Sequence, residues 1–120
     1  MINLTFKLSG QIPSGKNAVI VTRTGQRYPQ KRFKAWREEA LRVLAREAAN
    51  QWHVTTPVSM IVDYVPSDHR RRDVPGMADA LCHLLEKAGI VSDDCLIQQL
   101  SWKTFAPDKG NAGATITILG

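Results

Sequence analysis

Apolar and polar residues alternate from Ile2 to Leu8, placing Ile2, Leu4, Phe6 and Leu8 on one side, the period-two pattern of a strand with one buried face. Pro13-Ser14-Gly15-Lys16-Asn17 breaks the pattern with a turn rich in small residues and backbone donors. A second apolar stretch, Ala18 to Val21, runs to the Thr24-Gly25 turn, so a two-stranded ribbon is expected here. From about Gln30 to Asn50 the period changes. Phe33, Trp36, Ala40, Leu44 and Ala48 recur at helical spacing, while Lys34, Arg37, Arg42 and Arg46 lie mostly off that stripe, which predicts an amphipathic helix with a basic outer face.

Pro57 opens a second clear strand, Val58 to Val65, and Pro66-Ser67-Asp68 ends it in a polar loop. Pro75 suits the first turn of a second helix, with Met77, Leu81, Leu84 and Ala88 as its buried stripe and Gly89 as its stop. Two further strands, Leu96 to Phe105 and Ala114 to Leu119, flank the Pro107-Asp108-Lys109-Gly110 turn. The order predicts an α+β fold: a mixed or antiparallel sheet of about four to six strands covered by two main helices.

At 120 residues, 43% hydrophobic and 22% charged, the chain is expected to form one domain over residues 1–120. Its apolar runs are far shorter than a membrane span and its start lacks a signal-peptide layout, so a cytoplasmic protein without a membrane partner is expected. Cys82 and Cys95 have no CxxC partner or clustered histidine, and read as reduced, buried thiols. The net charge of +5 is uneven: residues 1–50 carry ten Lys or Arg against three Glu, and the remainder carries six against eight acids. The first half reads as a phosphate-facing surface, against the plainer alternative of a solvated basic helix.

Chemistry concentrates between Arg70 and Asp94. Three arginines run directly into an aspartate, Arg70-Arg71-Arg72-Asp73, and the doublet Asp93-Asp94 follows the second helix. Carboxylates gathered beside arginines suit a divalent cation set in a phosphate-binding surface. Converging aspartates would otherwise repel one another, and phosphodiester hydrolysis needs an activated water and charge neutralisation that such a cation supplies. The plain alternative for Asp93-Asp94 is a solvated turn.

The order basic helix, strand, Arg-Arg-Arg-Asp, helix ending in Lys87-Ala88-Gly89, then Asp93-Asp94 and an apolar strand resembles the RusA-type Holliday junction resolvases. The likeness extends to the Pro-Ser-Gly-Lys-Asn turn and to Trp36-Arg37-Glu38-Glu39-Ala40. The resemblance implies a small homodimeric, Mg²⁺-dependent endonuclease, with Mn²⁺ as a substitute ion, that cuts four-way or branched DNA by paired nicks; many such proteins are encoded by phages or prophages. It carries over Arg72, Asp73 and Asp94 as site residues. Asp73 and Asp94 are expected metal ligands, with Asp79 and Asp93 as further ones, and Arg72 as a catalytic cation.

Two departures from the family pattern stand out. Pro75 and Gly76 occupy the places of an Asp-Asn pair, and Asp79 stands where a lysine usually follows. Positions 75 and 79 share a helix face, about 6 Å apart along the axis, so Asp79 is a candidate for the lost carboxylate, against a first-turn acid that merely suits the helix dipole. His83 lies on the same face, as an ordinary helix histidine or at the outer shell of the metal. Arg70, Arg71, Arg72, Lys31, Arg32, Lys34, Lys16 and Asn17 are the expected DNA contacts. A DNA-binding protein with an impaired site and a small RNA-acting module are the competing readings, and Trp36, Trp52 and Trp102 read as packing residues rather than base platforms.

Overall fold

The computed structural model describes residues 2–13, 19–21, 23–29, 31–48 and 53–120. The alternation at the start of the chain becomes β1 (Asn3–Ser9), in which Leu4, Phe6 and Leu8 are buried and the intervening residues face solvent. There follow β2 (Val19–Val21), β3 (Arg27–Pro29), α1 (Lys31–Ala48), β4 (Val58–Val65), α2 (Val74–Lys87), β5 (Ile97–Thr104) and β6 (Gly113–Leu119). The fold is α+β. Four strands form one mixed sheet in the order β1-β6-β4-β5, and β2 and β3 form a separate antiparallel ribbon across the Thr24-Gly25 turn.

Register explains the core. Leu4, Ile118 and Met60 stand side by side across three strands, as do Phe6, Ile116 and Val62, and then Leu8, Ala114 and Tyr64. All nine are buried on the face that packs with Ala40 and Leu44 of α1 and with Met77, Leu81, Leu84 and Leu85 of α2. Burying side chains of this size contributes about 1.5–3 kcal/mol each. Gly113 makes the close approach between β6 and β1 possible: at φ +152° a Cβ there would run into the Leu8 carbonyl oxygen.

β4 and β5 run parallel. A parallel pair needs a long crossover, and α2 supplies it. The crossover sets the first turn of α2 beyond an eight-residue loop after the end of β4, and returns the chain from its last turn to the start of β5. Pro75 lies in that first turn, and Gly89 at φ +78° ends the last one. β5 is an edge strand. Trp102 covers its inner side by packing on Tyr64 at 5.7 Å between ring centroids, and its Nε1 donates to Thr104 Oγ1 at 2.9 Å. Among the described residues no helix is long and apolar enough to cross a membrane.

Candidate metal centre on helix α2

Helical spacing puts Asp79, His83 and Glu86 on the side of α2 turned away from its buried stripe. His83 Nε2 lies 3.4 Å from Asp79 Oδ1, one turn back, and its Nδ1 lies 3.7 Å from Asp94 Oδ2. Asp94 arrives from the loop that leads into β5, where it opens the short 3-10 turn Asp94–Leu96. Its backbone N–H donates to Glu86 Oε1 at 3.2 Å. His83, Glu86 and Asp94 thereby offer one ligand atom each, all within 4.8 Å of one another, and this group can hold a metal ion.

The neighbouring Cys82 thiol registers the negative field of this group. Burial pushes it up to about 11, and the charges of Asp94 and Asp79 push in the same direction. Cys82 is half-buried and Cys95 is exposed, so the expectation of two buried thiols holds for neither in full. The loop that carries Cys95 runs over the surface, where Asp93 Oδ1 accepts from the Cys95 backbone N–H at 2.9 Å. That bond holds the Asp93 carboxyl below the usual carboxylate range and occupies it as the cap of the 3-10 turn. Asp93 is not in the group with His83, Glu86 and Asp94.

Asp73 sits at the other end of α2. It occupies the N-cap position, is half-buried, and its side chain makes no capping bond. Ten residues separate it from His83, about 15 Å of helix rise. The structure therefore brings Asp79 and Asp94 to one histidine, and does not bring Asp73 to them.

The arginine run is organised by Asp68, in the polar loop that follows β4. Asp68 Oδ1 accepts from Arg72 at 2.7 Å and from the Arg70 backbone N–H at 3.0 Å, and the Arg70 side chain lies 3.7 Å from Oδ2. With the Gln11 amide oriented to satisfy both its ends, its oxygen accepts from Arg72 and its nitrogen donates to Ser67 Oγ at 3.0 Å. Tyr64 closes this set. Its burial raises the hydroxyl pKa, while the Ile12 backbone and Arg72 pull it down. Arg72 is thus half-buried and tied into the fold, whereas Arg71 is exposed and forms no ion pair among the described residues.

Lys31, Arg32 and Lys34 are exposed on the first turn of α1, which holds no acid. Cations at the positive end of a helix dipole oppose local stability, so this turn favours an outside anion over its own helix. Lys16 and Asn17 lie outside the described residues, as does Trp52.

A cleft of about 450 Å³ separates the start of α1 from α2, and Asp79, His83 and Glu86 form part of its wall. Phe33, Trp36 and Arg37 face them from α1. Carboxylates, an imidazole, a surface of cations and a cleft beside them suit metal-assisted phosphate chemistry.

The family comparison decides which. The family described as endodeoxyribonuclease RusA matches residues 10–119. The chain belongs to the RusA family. The α+β fold with its four-stranded mixed sheet is consistent with that membership, and the RusA match places the chain among Holliday junction resolvases. The match also spans both ends of α2, so the arginine run and the Asp94 loop lie within the RusA domain. No curated protein matches the chain at a significant level. Glu86 joins the candidate site without having been expected from the sequence. Its signal was the spacing His83-x-x-Glu86, which sets an acid one turn from a histidine on one helix face.

Proposed function

We propose that this chain is a divalent-metal-dependent endonuclease that resolves four-way DNA junctions by paired nicks, with His83, Glu86 and Asp94 as its metal ligands. The observation that carries the reading is the convergence of these three side chains within 4.8 Å on a chain of the RusA family. Asp79 holds His83 by its Nε2 side and orients the ring; partners of this kind are what ligating histidines ordinarily have. A bound cation would supply Lewis acidity at the phosphoryl oxygen and an activated water.

The donor set bears on the ion. Carboxylates alone suit Mg²⁺, but an imidazole among them favours a softer first-row cation, so Mn²⁺ is the better fit to His83, Glu86 and Asp94 and Mg²⁺ the weaker one. Arg71, Lys31, Arg32 and Lys34 bind backbone phosphates, and their binding weakens with salt as counterions are released. Two copies related by a dyad would present two such centres to the two equivalent strands of a junction. The cytoplasm, or a phage-infected cell, is the setting in which this substrate arises.

The test is an end-labelled synthetic four-way junction beside the matching linear duplex, in Mn²⁺, Mg²⁺ and EDTA, with the wild type and Asp94→Asn. Symmetric nicks on the junction alone, with metal and with intact Asp94, establish the reading. A junction-selective gel shift without cleavage in either metal would make the protein a branched-DNA binder without nuclease activity. Equal cutting of junction and duplex would reject junction selectivity.

A further inference from the structure

We propose that the cleft between α1 and α2 seats the base of an unpaired nucleotide whose phosphate lies at the His83–Glu86–Asp94 centre. The proposal rests on the reading of that centre as the nuclease site. Its volume of about 450 Å³ falls within the roughly 300–1,000 Å³ usual for small-molecule pockets, and is sized for one nucleotide and not for a duplex. Two metal-ligand candidates, His83 and Glu86, also line the cleft, so a phosphate at a metal they would hold has its adjoining nucleoside in or beside it.

The opposite wall offers flat apolar surface and positive charge. Phe33 and Trp36 stand 5.8 Å apart between ring centroids and are tilted by 54°, and the Arg37 guanidinium lies 5.9 Å from the Phe33 ring centre. Phe33 is buried, but Trp36 and Arg37 are only half-buried and both line the cleft. Lys87 adds a second cation at the rim. A nucleotide has the complementary form: a neutral planar base for stacking and an anionic phosphate for the cations and the metal. Paired bases hide their faces in the stack, so the occupant is a nucleotide freed at the branch point or turned out of the helix. Stacking of this kind tolerates any base.

Thymidine 5′-monophosphate and 2-deoxyribose 5-phosphate test this by titration calorimetry in Mn²⁺, since neither contains a phosphodiester to be cut. Thymidylate is expected to bind at least about tenfold more tightly than the sugar phosphate, the worth of one base stack. Trp36→Leu should abolish that difference, Arg37→Gln should weaken thymidylate by about tenfold, and Arg46→Gln should change neither. Equal affinity for the two probes overturns the proposal, as does thymidylate affinity unchanged by Arg37→Gln; the latter variant decides the matter alone if Trp36→Leu does not fold. Base-dependent binding in a protein that fails to cut junctions would uphold the pocket and reject the nuclease reading, whereas junction cleavage with equal probe affinities rejects only the pocket.

Discussion

His83 Nδ1 lies 3.7 Å from Asp94 Oδ2, a contact that ties the outer face of α2 to the loop entering β5. Residues eleven positions apart in the chain meet because Gly89 stops the helix and turns the backbone along its flank. The candidate centre depends on that return.

Asp94 and Asp73 should therefore behave differently. Asp94→Asn removes the charge of a proposed ligand and is expected to weaken Mn²⁺ binding by at least about tenfold. Asp73→Asn, about 15 Å of helix rise from His83, is expected to leave Mn²⁺ affinity within about twofold. Calorimetric titration of both variants checks this. Comparable losses in the two would mean that the ends of α2 share one metal, through a second copy of the chain.

Metal preference is the next expectation. If the proposed ligand set with its imidazole is right, cleavage by the wild type should be faster in Mn²⁺ than in Mg²⁺ at equal concentration, and EDTA should abolish both. His83→Ala should lower the Mn²⁺ rate more than the Mg²⁺ rate and so narrow the difference. A preference unchanged by His83→Ala would remove His83 from the ligands.

Arg72 and Arg71 are adjacent but differently employed. Arg72 bridges Asp68 and Gln11 under partial cover, so Arg72→Ala is expected to destabilise the fold by about 1 kcal/mol, a value discounted for the partial exposure of both partners. Arg71→Ala should leave stability unchanged and reduce the slope of log affinity against log salt for junction DNA by about one. Urea melts and salt-dependent gel shifts separate the two. If Arg71→Ala were the destabilising one, the assignment of roles would be reversed.

Gly113 carries a backbone requirement. Gly113→Ala forces a side chain onto the Leu8 carbonyl at a φ of +152° and is expected to cost about 2 kcal/mol or more, or to break the β1–β6 register. Gly110→Ala, whose Cβ would meet only Asp108 Oδ1 at 3.7 Å, should stay within about 0.5 kcal/mol of wild type. Thermal melts of the pair provide the comparison.

Much of the fold is legible along the chain. Of the expected stripes, Phe33, Ala40 and Leu44 of α1 and Met77, Leu81 and Leu84 of α2 are buried while Trp36 and Ala88 are half-buried, and β1, β4, β5 and β6 fall within one residue of the predicted strands at every end. β3 was not legible, because Arg27-Tyr28-Pro29 shows no apolar run, whereas the equally short β2 is Val-Ile-Val. Glu86 was passed over for a different reason. Beside Lys87 near a helix end it reads as an ordinary surface acid, and only the approach of the Asp94 loop gives it a partner. The contacts of Arg72 with Asp68 and Gln11 were likewise not legible, since the first forms within a loop and the second joins separate loops.

The sequence by itself determined the element order, the buried faces and the presence of cations beside carboxylates, since periodicity, turn residues and charge are local properties of the chain. It also carried the RusA likeness, because the motifs of a family are strings of residues. Only the tertiary structure decided which carboxylates meet. The parallel pairing of β4 with β5 stretches α2 between them, which holds Asp73 at one end and gathers His83, Glu86 and Asp94 towards the other, with Asp79 one turn back from His83. Distance in space is set by how rigid elements are joined, and spacing along the chain carries that information only within a single helix or strand.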